Sequence, residues 1–351
     1  MKSVYVMGRY GSGKTAVCLG LALKLKEEGF KVAYFKPVGG YPELSRKEDP
    51  DCVLMKEVLK QATPVHELVL YPRSPYYLTT YEKSEQLLHG VHQRFRAISK
   101  GADVVIIEGT TGPFVMTALG LDAPTIAREV GAVALMVNRI ENDLSFDRII
   151  LYNDYVTSKG VEILGNIFNN VPRSLLDKTV GVYRPILENR GYRVLGIVPK
   201  NVEIAAPRVQ EYYDVLGGEL LVEDADMDTI VEDVLVGAMN LESAMGYLRR
   251  APNKALITGG DRSDLALAAM ETSTSVIILT GGLYPSVQVV ARAEEKRVPI
   301  ILVHYDTYTT IEKLQEVSRK ITPSDHKGIE LAKANLERNV NWQEIAARLR
   351  T

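Results

Sequence analysis

The sequence has 351 residues, of which 46% are hydrophobic and 25% charged, as is typical of a globular protein large enough to bury a core without disulfides. A formal net charge of −2 and a pI near 6.3 argue against nucleic acid and acidic membranes as partners. The two cysteines form no C-x-x-C pair, no apolar run approaches the ~20 residues that span a bilayer, and no signal peptide is evident. We therefore expect a cytoplasmic protein.

The first 200 residues or so alternate short apolar runs with amphipathic stretches. We predict a helix over Thr15–Glu28 that ends at Gly29, and buried strands where β-branched residues run without polar alternation. The predicted strands are Lys2–Met7, Lys31–Phe35, Val104–Ile107, Ala132–Val137, Val161–Phe168 and Val194–Val198. Because helical stretches separate these strands, the sequence predicts an α/β fold with a doubly wound parallel sheet.

The pattern restarts after Pro199 with shorter elements. The predicted strands are Leu220–Val222, Ala255–Thr258, Val276–Thr280 and Ile300–Val303, and the predicted helices are Asn240–Leu248, Leu265–Glu271 and Val287–Glu295. This pattern indicates a second, smaller α/β domain. We place the domains at residues 1–205 and 206–325, followed by a charged helical tail at 326–351 that contains Trp342.

A phosphate-binding motif lies between the first predicted strand and the first predicted helix. It matches G-x-x-x-x-G-K-[ST] in full, with the residues Gly8, Arg9, Tyr10, Gly11, Ser12, Gly13, Lys14 and Thr15. Glycines let consecutive backbone N–H groups converge on phosphate oxygens, and the helix N-terminus adds positive potential. Lys14 would reach the β- and γ-phosphates, and the Thr15 hydroxyl would ligate Mg²⁺. The motif therefore predicts a purine nucleoside triphosphate as ligand, with Mg-ATP as the first choice.

Two further strand ends carry charged side chains. Glu108 ends an apolar strand, at the edge where open parallel sheets bind ligands. It could hold Mg²⁺ directly, support a group that does, or be a solvated strand-end charge. Lys36 could neutralise phosphate or substrate charge, or could belong to an ordinary Lys-Pro turn. Asp49 and Asp51 follow in a polar loop and could complete the metal site.

In this order the motifs resemble the dethiobiotin synthetase-like family of P-loop proteins, over roughly residues 1–200. The matching residues are Lys14, Thr15, Lys36, Asp51, Glu108, Gly109 and Gly112. The resemblance implies a magnesium site at Thr15, Asp51 and Glu108, and catalytic roles for Lys14 and Lys36. The strand that contains Asn169 matches the family's adenine-reading strand, so Asn169 is the implied adenine contact.

The chain departs from the family pattern on the substrate side. Arg9, Tyr10 and Gly11 replace the family's P-loop residues, and Gly40 stands where the family has a serine. We therefore expect an intact site for ATP and Mg²⁺ and no dethiobiotin synthesis.

The second half resembles the DRTGG domain, on the residues Val234–Met239, Thr258–Arg262 and Thr280–Gly282. That domain follows a dethiobiotin synthetase-like domain in long phosphate acetyltransferases, where the pair is regulatory. Both Gly-rich turns follow strands, where a small-molecule effector would bind. Asp261 and Arg262 are either part of such a site or a helix cap with its neighbour. At this length we expect the N-terminal pair alone, without the acetyltransferase catalytic domain.

The leading hypothesis is a Mg-ATP-binding regulatory or sensor module. One alternative is an ATP-dependent ligase of the dethiobiotin synthetase type that acts on a carboxylate or carbamate. Another is a nucleotide-gated dimeric interaction protein. Arg9 stands five residues before Lys14, where dimeric ATPases of the deviant P-loop type place a cross-subunit lysine, and this favours a homodimer.

Overall fold

The computed structural model describes residues 2–39, 48–72, 77–78, 84–314, 317 and 319–350. These residues form two compact units. The first contains the described residues up to Asn201 and those from Ile321 onward, and the second is formed within Val202–Lys320. No helix in the described ranges is both long and apolar enough to cross a bilayer. Gly40, the position of the family's serine, lies outside the described residues.

The first unit is built on a parallel sheet. Its strands are β1 (Lys2–Met7), β2 (Val32–Phe35), β3 (Val38–Gly39), β4 (Tyr71–Pro72), β5 (Val104–Glu108), β6 (Val133–Arg139), β7 (Ile163–Val171) and β8 (Val194–Pro199). Six of them form the parallel order β2-β5-β1-β6-β7-β8, while β3 and β4 pair separately. Every residue of β5 is buried, as a central strand covered on both faces requires. This confirms the predicted doubly wound fold and places the end of β1 at a switch point of the sheet.

Helices separate these strands. They are α1 (Lys14–Glu27), α2 (Pro50–Leu59), α3 (Val65–Leu68), α4 (Ser84–Ile98), α5 (Ala123–Glu129), α6 (Asp143–Ser158), α7 (Leu176–Lys178) and α8 (Arg184–Asn189). Gly13 precedes α1 with φ of 83°, a left-handed conformation that favours glycine. Asp49 caps α2 by accepting hydrogen bonds from the backbone N–H groups of Asp51 and Cys52. The predicted polar loop at Asp51 is therefore wrong, because Asp51 lies in the first turn of a helix.

The second unit is a smaller α/β layer structure. Its elements are α9 (Val202–Ala205), α10 (Val209–Leu216), β9 (Glu219–Leu220), β10 (Asp233–Val236), α11 (Leu241–Arg250), β11 (Lys254–Gly259), α12 (Ser263–Met270), β12 (Thr274–Thr280), α13 (Val287–Lys296), β13 (Ile300–Leu302) and α14 (Thr307–Leu314). The sheet order is β10-β11-β12-β13-β9, parallel except for β9. Apolar clusters fill both faces of this sheet.

Two C-terminal helices pack on the first unit. They are α15 (His326–Asn339) and α16 (Trp342–Arg350). A Cβ built on Gly20 of α1 would lie 2.8 Å from the carbonyl oxygen of Ala332, so α1 and α15 approach backbone to backbone. Lys24 of α1 donates to the Glu337 carboxylate at 2.9 Å and lies over the Trp342 ring. The chain therefore leaves the first unit, builds the second, and returns to cover the helix that follows the P-loop.

Candidate functional site

The P-loop connects the end of β1 to the start of α1, and its glycines are required by close packing. A Cβ on Gly8 would lie 2.1 Å from the carbonyl oxygen of Val137. A Cβ on Gly13 would lie 2.2 Å from the side-chain nitrogen of Asn169. A side chain at position 8 would collide with the backbone of β6, and one at position 13 would displace the Asn169 side chain, so both glycines allow the loop to lie close to the sheet edge.

The polar groups inside the loop suit an anion. The Lys14 ammonium is buried and donates a hydrogen bond to the Arg9 carbonyl at 2.9 Å. Burial lowers the pKa of Lys14 to about 8, although the charge of Glu108 opposes this. The buried Ser12 hydroxyl has no hydrogen-bond partner among the described residues. A buried donor without a partner is rare in native proteins, and a bound phosphate oxygen would satisfy it.

Glu108 is a buried acid held by two hydroxyl groups. Its Oε1 accepts a hydrogen bond from the Thr15 hydroxyl, and its Oε2 accepts one from the Tyr34 phenol, both at 2.8 Å. Burial, reinforced by the charge of Asp51, raises the pKa of Glu108 to about 7. With 2% of its surface exposed, Glu108 is not the solvated strand-end charge considered as an alternative.

Lys36 lies between two aspartates. Its Nζ is 2.9 Å from Asp49 Oδ2 and 2.5 Å from Asp51 Oδ2. Burial alone would lower the pKa of Lys36, but the neighbouring carboxylates hold it well above its usual range. Burial likewise opposes ionisation of Asp51, yet Lys36 and a hydrogen bond from Thr15 keep its pKa below the ordinary value. The structure thus brings together Thr15, Lys36 and Asp51 from separate elements, and it excludes an ordinary surface turn at Lys36.

The oxygen atoms of Thr15, Asp51 and Glu108 match what Mg²⁺ prefers. Mg²⁺ takes hard oxygen ligands, binds one or two protein carboxylates and keeps several waters. Within the described ranges no group of three or more His, Cys, Asp or Glu side chains forms a closed metal cage. A site of two carboxylates and a hydroxyl beside a phosphate-binding loop fits this chemistry without such a cage.

Asn169 and Tyr10 form hydrogen bonds that connect the P-loop to neighbouring segments of the chain, and the sequence motif does not predict these contacts. The Asn169 amide nitrogen donates to the Ser12 carbonyl at 2.8 Å, so this side chain braces the loop. The adenine contact of Asn169 stays a prediction. The backbone N–H of Tyr10 donates to the Thr111 carbonyl at 2.8 Å, and its side chain is partly exposed.

A cluster of charges at the mouth of the loop was not found from the sequence. The Glu141 carboxylate pairs with Arg9 at 2.8 Å and with Arg139 at 3.1 Å. Arg139 is the last residue of β6, and β6 pairs in parallel with β1. Tyr34 was missed as well. The position of Arg139, a charged residue at the end of an apolar strand, could have marked it as a site residue. No residue near Tyr34 in the sequence distinguishes it from a tyrosine of the hydrophobic core.

The second unit has a different polar environment at the carboxyl ends of its strands. Arg262 Nη2 donates to the Met239 carbonyl at 2.9 Å and pairs with Asp264 Oδ2 at 2.9 Å. Arg262, not Asp261, occupies the N-cap position of α12, and the Arg262 side chain makes no cap hydrogen bond. The predicted alternative of a cap by Asp261 is therefore wrong, and Arg262 already has an anionic partner.

Comparison with known proteins supports the same division. The AAA domain family matches residues 2–208, and the DRTGG domain matches residues 211–317. The phosphate acetyltransferase of Nitratidesulfovibrio vulgaris is 25% identical over 96% of this chain and 50% of its own length. The chain thus spans about half the length of this relative. An ATP-dependent dethiobiotin synthetase from Caldicellulosiruptor saccharolyticus is 32% identical over 32% of this chain and 49% of its own length.

Among solved structures, the CBS and DRTGG domains of the regulatory region of Clostridium perfringens pyrophosphatase, complexed with the activator diadenosine tetraphosphate, match with a TM-score of 0.29. The sequence identity is 16%, over 48% of this chain and 85% of that one. The AAA match covers more than half of the chain. The chain therefore belongs to the AAA domain family of P-loop proteins and carries a DRTGG domain after its P-loop domain.

Proposed function

We propose that the first unit binds Mg-ATP and that the chain acts as a nucleotide-responsive regulatory module. The observation that carries this proposal is the convergence of Lys14, Thr15, Asp51 and Glu108 at the carboxyl end of the central strand β1. A lysine, a hydroxyl and two carboxylates at a P-loop are the groups that phosphate and Mg²⁺ require.

Phosphate binding is an exchange of partners within the loop. The Lys14 ammonium gives up the Arg9 carbonyl for phosphate oxygens, which carry more negative charge. The buried Ser12 hydroxyl gains an acceptor that it lacks among the described residues. Backbone N–H groups at the start of α1 add their positive potential. The phosphate chain therefore replaces weak contacts by charge-assisted hydrogen bonds.

Mg²⁺ would be held by the Thr15 hydroxyl, with the carboxylates of Asp51 and Glu108 as direct or water-mediated ligands, and it would neutralise phosphate charge. Lys36 keeps Asp51 ionised and in place. The Tyr34 phenol holds the other oxygen of Glu108, so the acid stays oriented when Thr15 turns to the metal. These roles assign Lys36 to positioning the acids, in addition to the role in phosphate or substrate neutralisation that the sequence suggested.

The regulatory part of the proposal rests on the DRTGG unit. Four parallel strands, β10 to β13, end at one edge, where Gly-rich turns follow β11 and β12, and small ligands bind at such edges. Among the described residues, no group of three or more His, Cys, Asp or Glu side chains at this edge could hold a metal ion, which favours binding of an effector over metal-dependent chemistry. Coupling between the two units would be reciprocal: an effector that changes the affinity for ATP must have its own affinity changed by the same factor.

Thermal unfolding with and without nucleotide tests the proposed function. Mg-ATP at 100 times its dissociation constant should stabilise the protein by ~2.7 kcal/mol. Lys14→Ala should abolish that stabilisation. The matched control is Lys159→Ala, a half-buried lysine of the same unit at the end of α6, which should keep it. An equal stabilisation of the wild type and Lys14→Ala would place the nucleotide elsewhere.

Turnover separates the regulatory proposal from the ligase alternative. Diaminopelargonic acid, bicarbonate and Mg-ATP should give no product, because the chain departs from the family's P-loop at Arg9, Tyr10 and Gly11. Robust formation of dethiobiotin would make the protein a ligase and overturn the regulatory assignment, while leaving the nucleotide site in place.

A further inference from the structure

Two guanidinium groups and one carboxylate form a cluster at the mouth of the P-loop. Arg9 lies in the loop itself, and Arg139 ends the adjacent strand β6. Between them, Glu141 Oε2 is 2.8 Å from Arg9 Nη1 and Glu141 Oε1 is 3.1 Å from Arg139 Nε. The cluster carries one positive charge more than it has negative charges, and it lies at the edge where the proposed ligand binds.

Arg139 lies directly against the loop backbone. Its Nη1 is 3.4 Å from the position that a Cβ on Gly11 would occupy. Gly11 has a φ of 69°, so the loop turns sharply beneath the guanidinium. A group this close to the loop is within reach of a phosphate chain seated on it. Arginine suits that task, since its planar fork of donors matches phosphate oxygens in pairs.

The backbone of Glu141 is held by a hydrogen bond at the start of α6, whereas its side chain can move. Its backbone N–H donates to the Ser145 hydroxyl at 2.9 Å, and Ser145 belongs to the capping box of α6 with Asn142. The carboxylate is 38% exposed, and the two arginines are exposed to a similar degree. Ion pairs this exposed contribute little to stability, so a competing anion can replace the carboxylate.

We propose that Arg139 is an anion-binding residue of the P-loop site, which contacts the phosphate chain of the bound nucleotide together with Arg9, and that Glu141 is the built-in counter-ion that both arginines release on binding. This inference rests on the proposed function and adds a phosphate contact from outside the P-loop motif. Glu141 holds the two guanidinium groups at the loop mouth before the nucleotide arrives, which reduces the ordering that binding requires.

The counter-ion role predicts opposite effects from removing the two sides of the ion pair. Arg139→Gln removes charged hydrogen bonds to phosphate and should weaken ATP binding about tenfold or more. Glu141→Gln removes the competitor and should strengthen ATP binding about threefold to tenfold, with a steeper loss of affinity as salt is added. A merely structural ion pair would weaken binding in both variants.

Calorimetric titration of Mg-ATP measures these affinities at two salt concentrations. The matched controls are Arg348→Gln and Glu162→Gln, which break an exposed arginine–glutamate pair elsewhere in the same unit and should leave binding unchanged. If the wild type binds ATP in a Lys14-dependent way but Arg139→Gln and Glu141→Gln shift the affinity in the same direction, or not at all, the counter-ion proposal is overturned and the proposed function stands. If the wild type binds no ATP, the proposed function itself fails.

Discussion

The carboxyl edges of the two sheets have the same architecture and different chemistry. In the first unit, the edge gathers the buried charges of Lys14, Lys36 and Glu108. In the second unit, the corresponding edge carries threonines, glycines, the exposed residues His304 and Asp306, and Arg262, whose guanidinium is paired with Asp264. Parallel strands end at one edge in both units, but among the described residues buried charges gather at the edge of the first unit and not at that of the second.

A parallel sheet therefore does not by itself determine which chemical groups lie at its carboxyl edge. Buried charges destabilise a fold unless they are paired, and here Lys36 pairs with two aspartates while Glu108 accepts two hydrogen bonds from hydroxyl groups. At the edge of the second unit, the threonine hydroxyl groups form hydrogen bonds within the protein. The Thr258 hydroxyl donates to the Gly237 carbonyl, and the Thr280 hydroxyl is hydrogen-bonded to the Thr307 hydroxyl.

The largest expected effect is on metal-dependent nucleotide binding. Glu108→Gln keeps the shape of the side chain but removes its charge, so it should weaken Mg-ATP binding by roughly 100-fold while changing metal-free ATP binding far less. Asp264→Asn, at the edge of the second unit, should change neither. Titrations with Mg²⁺ and with EDTA measure the difference. Equal losses under both conditions would remove Glu108 from the metal site.

Two glycine substitutions should shift stability in opposite directions. Gly20 of α1 faces the backbone of Ala332, so Gly20→Ala forces α1 and α15 apart and should lower the free energy of unfolding by about 1–3 kcal/mol. Gly246 lies inside α11 with open space around it, and Gly246→Ala should raise that free energy by up to about 1 kcal/mol. Denaturant unfolding of both variants measures whether the free energy of unfolding falls or rises. A stabilised Gly20→Ala would mean that α15 does not pack on α1 in solution.

A further expected effect, which develops gradually with pH, is a slope of stability against pH in the second unit. Lys254 is buried, donates to the Thr272 hydroxyl and the Ser273 carbonyl, and burial lowers its pKa from 10.5 to about 8. Between these two values the unfolded chain holds a proton that the folded chain has released. The free energy of unfolding should therefore rise with pH across this window.

Lys254→Met should make this rise shallower, because the substituted side chain does not titrate. Lys296→Met, at the exposed end of α13, is the control and should leave the slope as in the wild type. Denaturant unfolding at several pH values from 8 to 10.5 measures both. Slopes that agree between the wild type and Lys254→Met would show that Lys254 keeps its charge in the folded protein.

Features that depend on a few consecutive residues could be predicted from the sequence. The P-loop was read from eight consecutive residues, and Glu108 from the apolar strand before it. Asp51 was predicted as a site residue but placed in a loop, since the capping of α2 by Asp49 depends on a conformation that residue types alone do not specify. These predictions share one feature: the signal and the predicted site lie within a few residues of each other.

Contacts that depend on the pairing of strands far apart in the sequence could not be predicted from local patterns. Tyr34 reaches Glu108 because β2 pairs with β5 across 74 positions of sequence. Arg139 reaches the P-loop because β6 lies beside β1. The amphipathic pattern of α15 predicted a helix but could not tell that it covers α1. Strand β10 was not predicted, although Val234, Leu235 and Val236 form a short apolar run, and in the structure its residues are mostly exposed.

The central claim is that the chain binds ATP at the P-loop of the first unit. Calorimetric titration of Mg-ATP into the wild type, Lys14→Ala and Arg262→Ala tests it most directly, since the two variants each remove a cationic residue from one of the two edges. We expect one P-loop site per chain that is lost in Lys14→Ala and unchanged in Arg262→Ala. ATP binding that persists in Lys14→Ala, or that disappears in a well-folded Arg262→Ala, would contradict it.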